Sequence, residues 1–220
     1  MRARPVTPDV LTSEIADRIA DAAKDAAEAA RPAPTRLRVA VDGAPAARPS
    51  DLAAALVEPL RLRGHAVLRV SAGDFLRQAS LRLEFGREDP DEFHDAWFDY
   101  PGLTREVLAP LRAGGSGRVL PTLWDPVTDR ATRAEYVTVP PGGVLLLDGP
   151  LLLGRGLELD FAVHLWLSPA ALQRRTADAE RWTLPAYARY EEETGPARLA
   201  DIAVRMDHPD RPALIDDFDN

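Results

Sequence analysis

The chain alternates short apolar runs with longer amphipathic segments, the pattern of strands and helices in turn. Apolar, β-branched or leucine-rich runs predict strands at 37–42, 66–71, 144–148 and 161–167, with 202–206 a fifth candidate. These runs are apolar almost throughout, as strands covered on both faces of a parallel sheet are. Residues 7–30 place Val10, Leu11, Ile15, Ile19, Ala22 and Ala26 at helical spacing, with Asp, Glu and Lys between them. Such a stripe needs a partner in water, so this helix is expected to dock on the domain. Pro32 and Pro34 end it. Residues 51–63 form a second amphipathic helix with Leu52, Ala55, Leu56 and Leu60 on one face, stopped by Gly64. Flanked by strands, it makes a βαβ unit. A short helix is expected at 103–111 and a turn at 114–117. The expected organisation is an N-terminal helix and proline joint, 1–34, followed by one α/β domain, 35–220.

Composition narrows the class. A chain of 220 residues is long enough for one substantial core. A net charge of −8 argues against non-specific nucleic-acid binding. No run is long and apolar enough to span a bilayer, and the N-terminus lacks a signal peptide's apolar core, so the cytoplasm is the default location. Asp9, Glu14, Asp17 and Asp21 make the first helix too acidic for an organellar presequence. The chain has no cysteine, which excludes thiolate metal sites, and its four histidines stand at no metal-ligand spacing.

Ligands of such sheets bind beyond the carboxyl ends of the strands, which directs attention to Asp42-Gly43, Ser71–Asp74, Asp148-Gly149 and Ser168. Residues 37–50, LRVAVDGAPAARPS, have the strand, loop and helix layout of the phosphate-binding pattern G-x-x-x-x-G-K-[ST]. Gly43 takes the first glycine position and Ser50 the hydroxyl position, but Arg48 replaces the second glycine and Pro49 the lysine. Proline has no N–H, so Pro49 removes a phosphate donor together with the lysine's charge. Arg48 brings a planar fork in place of a compact ammonium, and a Cβ where the loop needs glycine's freedom. The plainer reading is a helix start, with Ser50 as cap and Asp51 favourable to the dipole. Between the second and third strands, Phe93, Trp97, Phe98, Asp99, Tyr100, Trp124 and Asp125 set aromatics beside acids, either as walls for a ring and a sugar or as ordinary core. His94 is a base or a plain hydrogen-bonded histidine, and Glu191-Glu192-Glu193 a solvated helix end or a lure for a basic partner.

Taken in order, these segments resemble the uridine kinase family of small-molecule P-loop kinases. Val39–Ser50 is similar to its V-D-G-x-x-x-x-G-K-[ST], Ser71–Phe75 to its S-x-D-D-F, and Phe98-Asp99-Tyr100-Pro101 to its F-D-x-P. Trp124-Asp125 with Asp129-Arg130 resembles the substrate segment Y-D-x-x-x-[HD]-x-R. Residues 144–152, VLLLDGPLL, resemble its V-V-[EDV]-G strand, and residues 200–212, ADIAVRMDHPDRP, its closing A-D-x-V-[IV]-D-N-x-D-x-x-R-P. The resemblance implies a three-layer P-loop NTPase fold, a mainly parallel sheet flanked by helices, with a lid. It implies ATP and Mg²⁺ as cofactors. Gly43, Arg48, Ser50, Arg175 and Arg181 would then face the nucleotide phosphates, and Ser50 and Asp148 the metal. Asp99, Tyr100, Trp124, Asp125 and Arg130 would face a nucleoside or another small molecule. The departures fall on chemistry, because the family's proton-accepting aspartate corresponds to Gly73. Asp74 is adjacent, but neighbouring side chains in a strand or tight turn point apart.

Three functions stay open at this level. One is a catalytically impaired kinase-like protein with a retained small-molecule pocket. Another is an active, atypical ATP-dependent uridine or cytidine kinase using Asp74 as base. The third is a non-catalytic protein that binds a protein partner or a second copy of itself through its acidic face or first helix.

Overall fold

The apolar runs assemble into one seven-stranded sheet. The structure is a computed structural model that describes residues 2–217. Its strands are β1 (Arg2–Pro5), β2 (Leu37–Asp42), β3 (Val67–Ser71), β4 (Val144–Gly149), β5 (Phe161–Trp166), β6 (Ile202–Arg205) and β7 (Ala213–Asp217). Their order is β1-β7-β6-β5-β2-β4-β3. β2 pairs in parallel with β4 and β5, β3 with β4, and β6 with β5. All five expected strands are present, shifted at their ends by no more than a residue. β7 and β1 add an antiparallel edge that the sequence pattern does not announce, because both are short and β1 is RARP.

Alternation along the central strands divides the core in two. Val39, Val41, Leu146 and Val163 face one side, where α1 (Pro8–Ala29) and α2 (Pro49–Leu62) cover them. Ala40, Leu145, Leu147 and Ala162 face the other, covered by elements between 90 and 111 and by helix Leu184–Glu193. α1 starts where Thr7 Oγ1 accepts from the Val10 N–H at 3.3 Å, with Pro8 in the first turn. Leu11, Ile15 and Ile19 lie at the α1–α2–sheet contact, so the helix is docked as its stripe demands. Each such side chain contributes about 1.5–3 kcal/mol by leaving water. Val10 falls off the buried face and is 44% exposed. Asp17 of α1 also pairs with Arg63, just beyond α2, at 2.6 Å. Among the described residues no helix is long and apolar enough to cross a membrane.

Candidate functional site

The loop from β2 to α2 keeps the outline of a phosphate loop. A Cβ added at Gly43 would lie 3.0 Å from both Cβ and the carbonyl oxygen of Leu165, so the close passage of β5 favours glycine there. Residues Pro45–Ala47 form a 3₁₀ turn, and Arg48 follows at φ 66° and ψ 50°. This is the left-handed conformation that glycine adopts freely and that costs another residue roughly 1–2 kcal/mol. The second glycine's backbone shape is thus retained without the glycine. The Arg48 side chain pairs with Asp51, and both residues line the cleft in front of the loop. Pro49 is the buried first residue of α2, where its missing N–H costs the helix nothing.

Ser50 does not cap the helix as expected. Arg48 occupies the cap position without a side-chain hydrogen bond, and Ser50 already lies within the first turn. Its hydroxyl reaches across to β4 and donates to Asp148 Oδ2 at 2.5 Å.

The loop's backbone donors are largely committed. The Ala47 N–H donates to the Ala44 carbonyl at 2.7 Å and the Arg48 N–H to the Pro45 carbonyl at 2.9 Å. Pro45 and Pro49 have no N–H. A nest that cradles phosphate needs successive N–H groups pointing into one concavity, and this segment does not offer them.

Asp148, at the end of β4, is 1% exposed and has both oxygens engaged. Besides Ser50 on Oδ2, Arg69 from β3 donates to Oδ1 at 3.1 Å, and the same Arg69 Nη2 donates to the Ser50 carbonyl at 3.0 Å. In a working P-loop enzyme the hydroxyl and the strand-end aspartate hold Mg²⁺. Here they hold each other and a guanidinium, so the residues present do not fit the metal.

In front of the loop lies a cleft of about 810 Å³. Its floor is the loop with Ser71, Gly73 and Gly149, one wall is Phe93, Trp97 and Phe98, and its rim includes Arg175 and Glu180. Phe93 and Trp97 pack edge to face at 5.2 Å between centroids. Arg175 donates to the Met206 carbonyl, and burial, then the charges of Arg48 and Arg174, lower its pKa from the ordinary arginine value. Two guanidiniums, Arg48 and Arg175, thus line this cleft. Arg181 pairs with Asp178 at 3.0 Å and does not line it. A more apolar pocket of about 530 Å³, lined by Leu151, His164, Leu165, Leu184, Tyr187 and Tyr190, adjoins the cleft at Ala44 and Tyr187.

Asp74 faces elsewhere, because Ala72–Phe75 is a 3₁₀ turn whose successive side chains lie about 120° apart. It lines a separate groove of about 760 Å³ with Trp124, Asp125 and Arg130 of the hairpin formed by Trp124–Asp125 and Arg130–Ala131. Part of that set is already bonded internally. Asp125 accepts from the Val127 N–H at 2.9 Å and the Thr128 hydroxyl at 2.6 Å, and the Trp124 indole donates to Asp129 at 2.9 Å. Burial, then the charge of Asp148, raise the Asp74 pKa above its ordinary 3.8. A carboxyl raised in the fold contributes stability that is full below pH ~4 and lost as pH rises through its folded value. Asp74→Asn is therefore expected to melt higher than the parent at pH 7–8, with the gain shrinking to nothing towards pH ~4. Parallel melts across that range that stay a constant distance apart would contradict this.

Two sugar-side candidates are turned into the fold. Asp99 Oδ1 accepts from the Gly102 N–H at 2.8 Å as a helix cap, and the Tyr100 hydroxyl donates to the Leu151 carbonyl at 2.8 Å. Neither lines the cleft. His94 is 3% exposed and bonded to Asp95 at 2.6 Å, a structural arrangement. Glu191 accepts from the Trp166 indole at 3.1 Å, and Glu193 from Arg189 at 2.8 Å, so the acidic run is partly a helix-packing device.

Sequence reasoning missed two features. Arg69 is a lone charge within an apolar run, a signal that was present but had no visible partner. Asp42, wholly buried, accepts from the Leu152 N–H at 2.9 Å, His164 Nδ1 at 2.7 Å and the Tyr190 hydroxyl at 3.1 Å. These partners come from three distant segments.

The sheet order, the loop after β2 and the strand-end aspartate define the fold of a P-loop kinase. Among solved structures the chain is similar to a "possible uridine kinase" from Bacillus stearothermophilus, at 23% identity and a TM-score of 0.62, covering 86% of this chain and 98% of that one. It is also similar to a protein described provisionally as a fructose transport system kinase from Silicibacter sp. TM1040, at 26% identity and a TM-score of 0.54, covering 82% and 92% respectively. Neither a protein-family model nor a curated protein sequence matches the chain.

Proposed function

We propose that this is a uridine kinase-like P-loop protein that has lost phosphotransfer and keeps its cleft for a small anionic or nucleoside-like molecule. The observation that carries the reading is the commitment of the loop's donors, with Ala47 and Arg48 N–H groups bonded inside the turn and prolines at 45 and 49. Phosphoryl transfer depends almost entirely on positioning and charge stabilisation, and the lysine, the nest and the acceptor's base are lost together. The Arg48 and Arg175 charges and the aromatic wall support a retained pocket.

ATP with Mg²⁺ at millimolar concentration is expected to raise the melting temperature by less than about 1 °C, whereas a ligand at a hundred times its Kd adds about 2.7 kcal/mol, which is several degrees. Uridine-dependent ATP consumption is expected at background. A second reading, an active kinase of unusual design, is favoured by the grouping of Asp74 with Trp124, Asp125 and Arg130. Turnover by the parent protein that Asp74→Asn abolishes would establish that reading in place of the first.

A further inference from the structure

We propose that the Arg69 guanidinium takes over the counter-charge that a divalent cation would give Asp148, so that the cleft engages its anionic ligand without a metal. In a working loop the cation joins the loop hydroxyl to the strand-end carboxylate. In this chain the hydroxyl meets the carboxylate directly, and Arg69 bridges the same two residues by another route, one nitrogen donating to the Ser50 carbonyl at 3.0 Å and to Asp148 Oδ1 at 3.1 Å. The Ser50 hydroxyl closes the cluster on Asp148 Oδ2.

The register makes this placement possible. Ser71 of β3 stands opposite Asp148 of β4, and Arg69 opposite Leu146, so a long side chain leaving β3 two residues earlier spans the distance to the strand end. The pair itself is balanced, one guanidinium against the Asp148 carboxylate, so Asp148 does not draw a cation as a bare carboxylate would. A divalent ion entering here would have to displace Arg69 and then sit beside it.

This inference rests on reading the cleft as a phosphate-loop site, yet its test needs no nucleotide and can fail separately. Mn²⁺ is titrated into the full chain and the free ion followed by electron paramagnetic resonance. The parent protein is expected to leave Mn²⁺ free into the millimolar range. Arg69→Ala, and Arg69→Met as a length-matched neutral variant, are expected to gain one site at least about tenfold tighter, and adding Asp148→Asn to remove it. Stoichiometric Mn²⁺ binding by the parent that Asp148→Asn abolishes would overturn the proposal. So would folded Arg69 variants, verified by melting, that gain nothing. If neither variant folds, the parent titration against Asp148→Asn decides by itself.

Discussion

Asp42→Ala is expected to remove about 3–5 kcal/mol of folding stability, the cost of breaking a buried, fully bonded charged group. Asp42 is inaccessible to solvent, and its carboxylate is the acceptor for Leu152, His164 and Tyr190. Truncation leaves those three donors facing a cavity, each with its own desolvation penalty. Burial, then the negative charge of Asp42, raise the pKa of the Tyr190 phenol far above its ordinary value, so the hydroxyl stays a donor at any working pH. Tyr190→Phe removes one of the three bonds to Asp42 and also the acceptor of the buried Leu153 N–H at 2.9 Å, and is expected to cost about 2–3 kcal/mol. Urea unfolding of the two variants measures both, and an Asp42→Ala loss below about 1 kcal/mol would refute the network's role. The consequence reaches the site, because Asp42 immediately precedes the loop. Its bonds tie the loop's root to the 151–153 segment and to helix Leu184–Glu193.

Rebuilding the missing parts is expected to restore function in a fixed order. Arg48→Gly with Pro49→Lys returns the charge, an N–H donor and an unstrained left-handed residue, so nucleotide binding, read as a melting shift with ATP, should come first. Gly73→Asp then supplies the acceptor's base. The new side chain has room, since a Cβ there meets only Ser71 Oγ, at 3.4 Å. A general base contributes about 10²–10⁴ in rate. Because Arg69 engages the Asp148 carboxylate, turnover is also expected to require Arg69→Ala. Single restorations should do little, as residues that act as a unit are not additive. A single replacement that restored full uridine-dependent turnover would sink this account, and so would no gain in ATP affinity from the double loop variant.

Much of the sheet could be read directly. Val39–Val41, Leu145–Leu147 and Val163 are apolar on both faces, and that requirement is local to each strand, so it shows in the sequence whatever the strand pairs with. α1 was legible for the same reason, since the spacing of Leu11, Ile15 and Ile19 already names a buried face. The antiparallel edge was not, because four residues, Arg2–Pro5, carry no periodicity to detect. The defects of the phosphate loop were visible as residue types, Arg48, Pro49 and Gly73, since each bears on a chemical requirement of a known pattern.

What the sequence by itself determined is therefore the layered α/β architecture, the position of the loop, and which of the loop's chemical groups are missing. What only the tertiary structure decided is how the remaining groups are used. Ser50 reads as a helix cap until β4 brings Asp148 within reach, 98 residues away. Asp99 reads as a candidate for a small-molecule ligand, and the fold gives one of its carboxylate oxygens a second role on the Gly102 N–H. Arg69 and Asp148 lie 79 residues apart, and Asp42 and Tyr190 lie 148 apart. The physical reason is that apolar burial depends on a residue's own side chain and its periodicity, whereas a polar group takes its role from the partner that satisfies it, and that partner arrives only when the chain folds.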